Sequence, residues 1–280
     1  MNCEEVFHKR DILFFIQGGN ILSKRIEKRR DDLLGKEFET NNSGKCFIID
    51  YKGSHDITVM FYDPVFITTC QQGQLYAGRV KNPYVPSLYG KGYVGVGVNS
   101  VTDKKTFQFW CGILERAYNP KYVKKNPTYV GTTVCDEWLN FQNFAAWCYK
   151  QKGFKVKDER GLYFQLDKDL LVKGNKCYSP DTCCFVPQAV NKLLLKSNKS
   201  RGEMPIGVFN RKGSNSFTAS MSRGSDKKVT IGSFKNPEDA FQAYKVVKEG
   251  HIKSVAEKWK GLIDCRAYEA LMNYNVEISD

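Results

Sequence analysis

Long apolar runs are missing from this sequence. Ile12-Leu13-Phe14-Phe15-Ile16 falls far short of the roughly 20 residues that a membrane-spanning helix needs. The opening Met-Asn-Cys-Glu-Glu-Val-Phe-His-Lys-Arg also lacks a basic n-region ahead of a long apolar stretch, so no export signal is expected. A cytoplasmic chain with reduced thiols follows as the expectation. None of the ten cysteines forms a Cys-x-x-Cys pair; Cys183 and Cys184 are adjacent and the others are scattered. That spacing gives no sign of four converging ligands, so no zinc is expected and the cysteines read as buried free thiols. Histidine is scarce at three, and no internal repeat or low-complexity tract is visible. Acidic residues are the minority charge: 30 Asp plus Glu stand against 43 Lys plus Arg, giving a formal charge of +13. Such an excess favours polyanions, because each neutralised phosphate releases condensed counterions, although a basic membrane-surface protein would share it.

Aromatic residues, by contrast, are abundant, with 18 Phe, 15 Tyr and 4 Trp, which argues for a folded chain. A length of 280 residues suggests two or three domains. Around Asn20–Leu34, Leu22, Ile26 and Leu33 share a narrow helical stripe opposite Lys24 and Lys28, either a solvated face or a phosphate-contacting arm. From Gly35 to about Ser100 the period changes to two. Strands are predicted at Cys46–Tyr51, Ile57–Phe61 and Val65–Thr68, with turns at Asn42-Ser43-Gly44, Lys52-Gly53-Ser54 and Gln72-Gly73. Short strands at this spacing predict a small, strongly curved β-barrel. Helical spacing returns with Phe107, Trp110, Cys111 and Leu114, and a strand is predicted over Thr128–Val134. A second amphipathic helix then carries Trp138, Phe141, Phe144, Ala145 and Cys148 as core residues.

Between Tyr163 and Lys196 the pattern is a strand over Phe164–Leu170, a polar loop, a buried strand Cys183–Val186, and a helix opened by Pro187. This order, with Asp167, Asn175 and Asn191 in sequence, resembles the ββα-metal finger of HNH nucleases. The flanking Trp138-x-x-Phe141-x-x-Phe144-x-x-Trp147, Gly174-Asn175-Lys176 and Tyr178-Ser179-Pro180 are similar to bacteriophage proteins of the HNH homing-endonuclease type. The resemblance implies that Asp167 and Asn191 hold Mg²⁺ or another divalent metal and that Asn175 holds the loop. The general-base histidine is replaced by Lys168, and His8, His55 and His251 all lie outside the finger. A lysine with a pKa near ~10.4 cannot accept a proton at neutral pH. Lys168 is therefore assigned to phosphate charge or to a surface turn, with Asp169 as a substitute base.

Residues 206–259 read as three strands and a helix. In Ser216–Ser222, Phe217, Ala219 and Met221 point one way, and Ser216, Thr218, Ser220 and Ser222 point the other. A helix begins after Asn236, with Pro237 at its first position and Glu238 and Asp239 in its first turn. Arg211, Lys212, Arg223, Lys227 and Lys228 border the polar face. Gly207-Val208, Phe217-x-Ala219, Ile231-Gly232-Ser233-Phe234, Glu238-Asp239-Ala240 and Ala243-Tyr244 resemble the APETALA-type domain, whose sheet reads the DNA major groove. That resemblance puts Arg211 and Lys228 at basic contact positions. Ser222 and Thr230 stand where relatives often carry Arg and Trp, so no target sequence carries over.

The fold expected is α+β: a helical arm over 1–34, a small curved β-domain over 35–100, an HNH-like ββα domain over 101–200, and a three-stranded sheet plus helix over 201–280. Double-stranded DNA is the expected partner, with no membrane, in a phage-infected bacterial cell. Three readings stay open: a metal-assisted DNA endonuclease, a DNA-binding regulator or architectural protein without catalysis, and a phage protein aimed at a host factor.

Overall fold

A computed structural model of the chain describes residues 24–194, 204–210, 213–222 and 228–278. The chain is of mixed α+β class and parts into two compact units, residues 1–96 and 97–280.

The first unit holds helix α1 (Lys24–Leu33), strands β1 (Glu37–Thr40), β2 (Gly44–Gly53), β3 (Asp56–Tyr62) and β4 (Val65–Cys70), and helix α2 (Gln72–Tyr76). The strands form one antiparallel sheet in the order β1-β2-β3-β4. This sheet is an open meander with β1 and β4 at its edges, not the closed barrel that the strand spacing predicted. Register shifts in β2, at Ile48/Asp50 and Tyr51/Gly53, interrupt its alternation. Such bulges bend a strand, which is how a four-stranded sheet curves without closing. Ile57, Val59 and Phe61 alternate inward from β3 and pack with Cys46, Ile48 and Leu75. From α1, Leu33 is buried and Ile26 packs against this core, whereas Leu22 lies outside the described residues. Gln72-Gly73 opens α2 instead of making a turn, because Gln71 and Gln74 cap each other reciprocally.

The second unit begins with α3 (Lys104–Tyr118) and α4 (Pro120–Lys125). Of the strand predicted over Thr128–Val134 only β5 (Thr133–Val134) forms; Pro127–Tyr129 is a 3₁₀ turn instead. The single helix predicted after Asp136 is two, α5 (Asp136–Leu139) and α6 (Phe141–Cys148). Asn140 breaks it by adopting extended backbone, at φ −86° and ψ 119°, and its side chain then accepts from Gln142 N at 2.9 Å. An asparagine side chain offers the backbone this alternative to helix continuation. The expected apolar residues are nonetheless core: Trp110, Leu114, Trp138, Phe141, Phe144, Ala145 and Cys148 are buried. Trp110 Nε1 donates to Trp138 O at 2.8 Å.

Next come β6 (Gln165–Asp167), β7 (Cys177–Tyr178), β8 (Cys184–Val186) and α7 (Gln188–Leu193). The C-terminal part is β9 (Val208–Asn210), β10 (Phe217–Ser222), β11 (Lys228–Phe234), α8 (Pro237–Lys258) and α9 (Cys265–Met272). Its sheet has the order β11-β10-β9, antiparallel throughout, and α8 packs against all three strands. As predicted, Asn236 caps α8, accepting from Asp239 N at 2.8 Å, with Pro237 in the first turn. Among the described residues no helix is long and apolar enough to cross a membrane.

Candidate functional site

Strands β6 and β8 pair antiparallel, with Gln165 opposite Val186, Leu166 opposite Phe185, and Asp167 opposite Cys184. Helix α7 follows directly, with Pro187 as its extended N-cap residue, so the helix starts one residue later than the sequence predicted. Strand β6 ends at Asp167 and does not run on to Leu170. Asp167 Oδ1 accepts from the backbone N of Asp169 at 3.0 Å and of Leu170 at 2.7 Å, folding the chain into a turn.

Asn175 closes the loop that this turn begins. Its Nδ2 donates to Lys168 O at 2.6 Å and Cys177 O at 2.7 Å, while its Oδ1 accepts from Cys177 N at 3.1 Å. The loop-holding part that the resemblance gives Asn175 has this local basis. Lys168 lies within the Asp167 turn, with its side chain directed inward. It is only 8% exposed, and its Nζ donates to Asn175 O at 2.8 Å and to Asp169 Oδ2 at 3.2 Å. A buried ammonium must find acceptors, and these two direct the Lys168 side chain into the loop instead of out toward a substrate.

Burial first, and then the neighbouring Asp169 charge, push the Asp167 carboxyl up to about 6 against the two backbone donors. The Asp169 side chain is half exposed. On α7, Asn191 Oδ1 is buried with no hydrogen-bond partner. A buried amide oxygen without a donor costs free energy, and a hard cation is one way to satisfy it. Among the described residues no cluster of three His, Cys, Asp or Glu side chains forms. Helix α7 packs against β6, and the resemblance would have Asp167 and Asn191 hold a divalent ion through oxygen atoms, the donor type suited to Mg²⁺.

Arg116 is a residue that sequence patterning passed over. Its guanidinium is buried, which works against its charge, yet Tyr178, Tyr129 and Tyr122 hold it more firmly charged than usual. Tyr129 in turn feels the Asp169 charge. Nothing in the helical periodicity of α3 separates Arg116 from a solvated arginine; the tyrosines come from three other segments.

The candidate reader residues divide sharply. Arg211, Lys212, Arg223 and Lys227 lie outside the described residues, and Lys228 is described only as a strand residue opposite Ser222. Ser222 and Thr230 are exposed. Ser216 is half-buried and shares a 2.9 Å hydrogen bond with Ser214. Thr218 and Ser220, predicted on an open face, are instead buried at 6% and 9% exposure. Both are small side chains on the central strand; Thr218 stands between Phe209 of β9 and Ser233 of β11, and its Oγ1 lies 3.4 Å from Ser233 Oγ. A register shift after Ala219 pairs Ala219 with Gly232 but Ser220 with Thr230, leaving Ile231 as the extra residue. That bulge places Thr230 and Ser233 on the same face as Thr218, Ser220 and Ser222. Ser233 is exposed there and was missed, because strict alternation assigns it to the opposite face from Thr230.

Comparison of the chain with protein-family models, curated proteins and solved structures finds no match. The reading of both sites therefore rests on these residues.

Proposed function

We propose that the chain is a double-stranded DNA-binding protein of the phage HNH homing-endonuclease type, reading duplex DNA with the face of the β9–β10–β11 sheet turned away from α8. The observation that carries this is the bulged register of β10 on β11. It puts the exposed Ser222, Thr230 and Ser233 on one face with the buried Thr218 and Ser220. Hydroxyl groups of this kind donate to and accept from base edges and phosphates, and the chain's charge of +13 supplies the sequence-independent attraction.

A second reading, metal-assisted phosphodiester hydrolysis, is favoured by the unpartnered Asn191 Oδ1 on the helix that packs against β6, the strand ending at Asp167. When bound, a divalent ion would polarise the scissile phosphate as a Lewis acid. The chain's own part is the proton. With no histidine in the finger and Lys168 occupied in the loop, the Asp169 carboxylate beside Asp167 is left as the acceptor.

The test joins binding and cleavage. Purified full-length protein is bound to randomised duplexes, and the selected duplex is placed in a supercoiled plasmid with Mg²⁺, Mn²⁺ or EDTA. Selective, strongly salt-dependent binding is expected, with metal-dependent nicking that Asp167→Ala abolishes while binding persists. Binding without nicking would make this a regulator on a nuclease scaffold. Weak binding without preference among duplexes would overturn the DNA reading and favour an acidic protein partner.

A further inference from the structure

Away from the sheet face and the finger's carboxylates, a group of lysines is held on aromatic rings at the approach to β6. Lys105 Nζ, in the first turn of α3, lies 4.7 Å from the Phe109 ring centroid and 4.8 Å from that of Tyr163. Lys157 Nζ lies 4.9 Å from the same Tyr163 ring, and Lys157 and Tyr163 are bridged backbone to backbone. Two ammonium groups sharing one ring must sit within about 10 Å of each other. Phe109 packs on Phe154, and Lys155 lies over Phe154 and Tyr149, so the group is continuous.

The carboxylates of this neighbourhood are already engaged. Asp103 takes Lys155 at 2.7 Å together with the Thr106 and Tyr149 hydroxyls, Asp158 takes Arg160 at 2.8 Å, and Glu159 takes Lys258 at 2.9 Å. Lys105 and Lys157 have no carboxylate partner among the described residues, nor do Lys104, Lys150 and Lys152 nearby in the chain. Aromatic rings hold an ammonium group in place without cancelling its charge. The result is a fixed, unneutralised positive surface, which calls for an external anion. Its position narrows the choice: Tyr163 lies only four residues before Asp167, about 13 Å along extended chain. A polyanion crossing Lys105 and Lys157 would therefore pass near the candidate metal centre.

We propose that Lys105 and Lys157, gathered on Tyr163, are a landing site for the phosphodiester backbone of duplex DNA, separate from the sheet face and serving the finger. This rests on the DNA-binding reading above and adds a second contact surface to it.

The experiment measures binding of the full chain to its selected duplex and to an unrelated duplex between 0.05 and 0.3 M salt, for wild type, K105Q/K157Q and K105R/K157R. Each lost phosphate contact should lower the slope of log affinity against log salt by about 0.9, so the double glutamine variant loses about 1.8. At 0.1 M salt this corresponds to roughly 60-fold weaker binding, equal on both duplexes. The double arginine variant keeps charge and ring contact and should bind as wild type does. Thermal midpoints establish that each variant is folded; should the double glutamine variant not fold, K105Q and K157Q singly should each lose about 0.9. Wild-type slope in the glutamine variants, or loss confined to the selected duplex, would overturn the landing site while leaving DNA binding intact. Failure of the wild type itself to bind duplex DNA would overturn both.

Discussion

Replacing Asp167 by asparagine removes a charge and nearly preserves shape, which makes it a direct probe of the finger. The amide oxygen that Asp167→Asn leaves in place of Oδ1 would still accept from the Asp169 and Leu170 amides, so the turn ending β6 keeps its hydrogen bonds. What changes is the buried carboxylate. In the folded protein its pKa is raised from 3.8 to about 6 by burial and by Asp169. A raised carboxyl pKa means that the folded state holds its proton while the unfolded chain has released it. Stability is therefore lost as pH rises from about 4 to about 6, and the loss is complete above that. At 1.36 kcal/mol per unit the full cost is roughly 3 kcal/mol at pH 7–8. Asp167→Asn should recover much of this at pH 8, a gain of several degrees in thermal midpoint for a unit of this size, and nothing below pH 4. Millimolar Mg²⁺ should raise the wild-type midpoint by mass action and leave the variant unmoved. Thermal unfolding of both proteins at pH 3.5, 5, 6.5 and 8, with and without Mg²⁺, supplies every comparison. A variant less stable than wild type at pH 8, or a difference independent of pH, would refute a raised carboxyl pKa at this position.

Two further outcomes test the frame around the site. Gly207 has φ +75°, and a β-carbon there would fall within the Tyr244 ring of α8; Gly207→Ala should cost about 3 kcal/mol, read by urea unfolding, and a wild-type midpoint would contradict this sheet–helix packing. Burial pushes the Cys46 thiol up to about 11 and Cys183 to about 12, whereas Cys265 is exposed. Alkylation of native protein at pH 8 should therefore label Cys265 well before either of the others, with denaturant removing the difference; labelling of Cys183 at the rate of Cys265 would contradict its placement behind β6.

Much of the second unit was legible in the sequence, and the reason is local. Apolar side chains at three- and four-residue steps name Trp110 and Leu114 of α3 and Phe141, Phe144, Ala145 and Cys148 of α6, whether or not the helix is continuous, because burial depends on spacing within each turn; in α3 the buried stripe also takes in Thr106 and Ile113 and leaves Phe107 and Cys111 half-buried. The break at Asn140 was not legible, since it depends on a side chain choosing to cap the next helix over extending the previous one. Asn236 was legible because a cap, a proline and two acids coincide there. Closure of the first unit's sheet lay beyond periodicity, which gives strands but not whether β1 and β4 meet.

The sites divide along the same line. Asp167, Asn175 and Asn191 could be named from their order, yet their states could not. The buried Lys168 and the Asp167–Asp169 pair are set by hydrogen bonds within residues 167–175, which fix where each side chain turns in a way that residue order does not state, and the orphaned Asn191 oxygen depends on how α7 packs. In β10 and β11 one extra residue decides the outcome. Without the bulge at Ile231, Gly232 would share the face of Lys228 and Thr230, and Ser233 would turn toward α8. With it, the rim gains a hydroxyl and the core side gains Gly232, whose missing side chain leaves room for the Phe234 ring. A one-residue shift thus supplies the polar face and the packing against the helix together. Deleting Ile231 would therefore leave Thr230, Gly232 and Ser233 on the faces they now hold, in regular alternation; the bulge is what lets β11 carry one residue more than β10 without turning Ser233 to the other side.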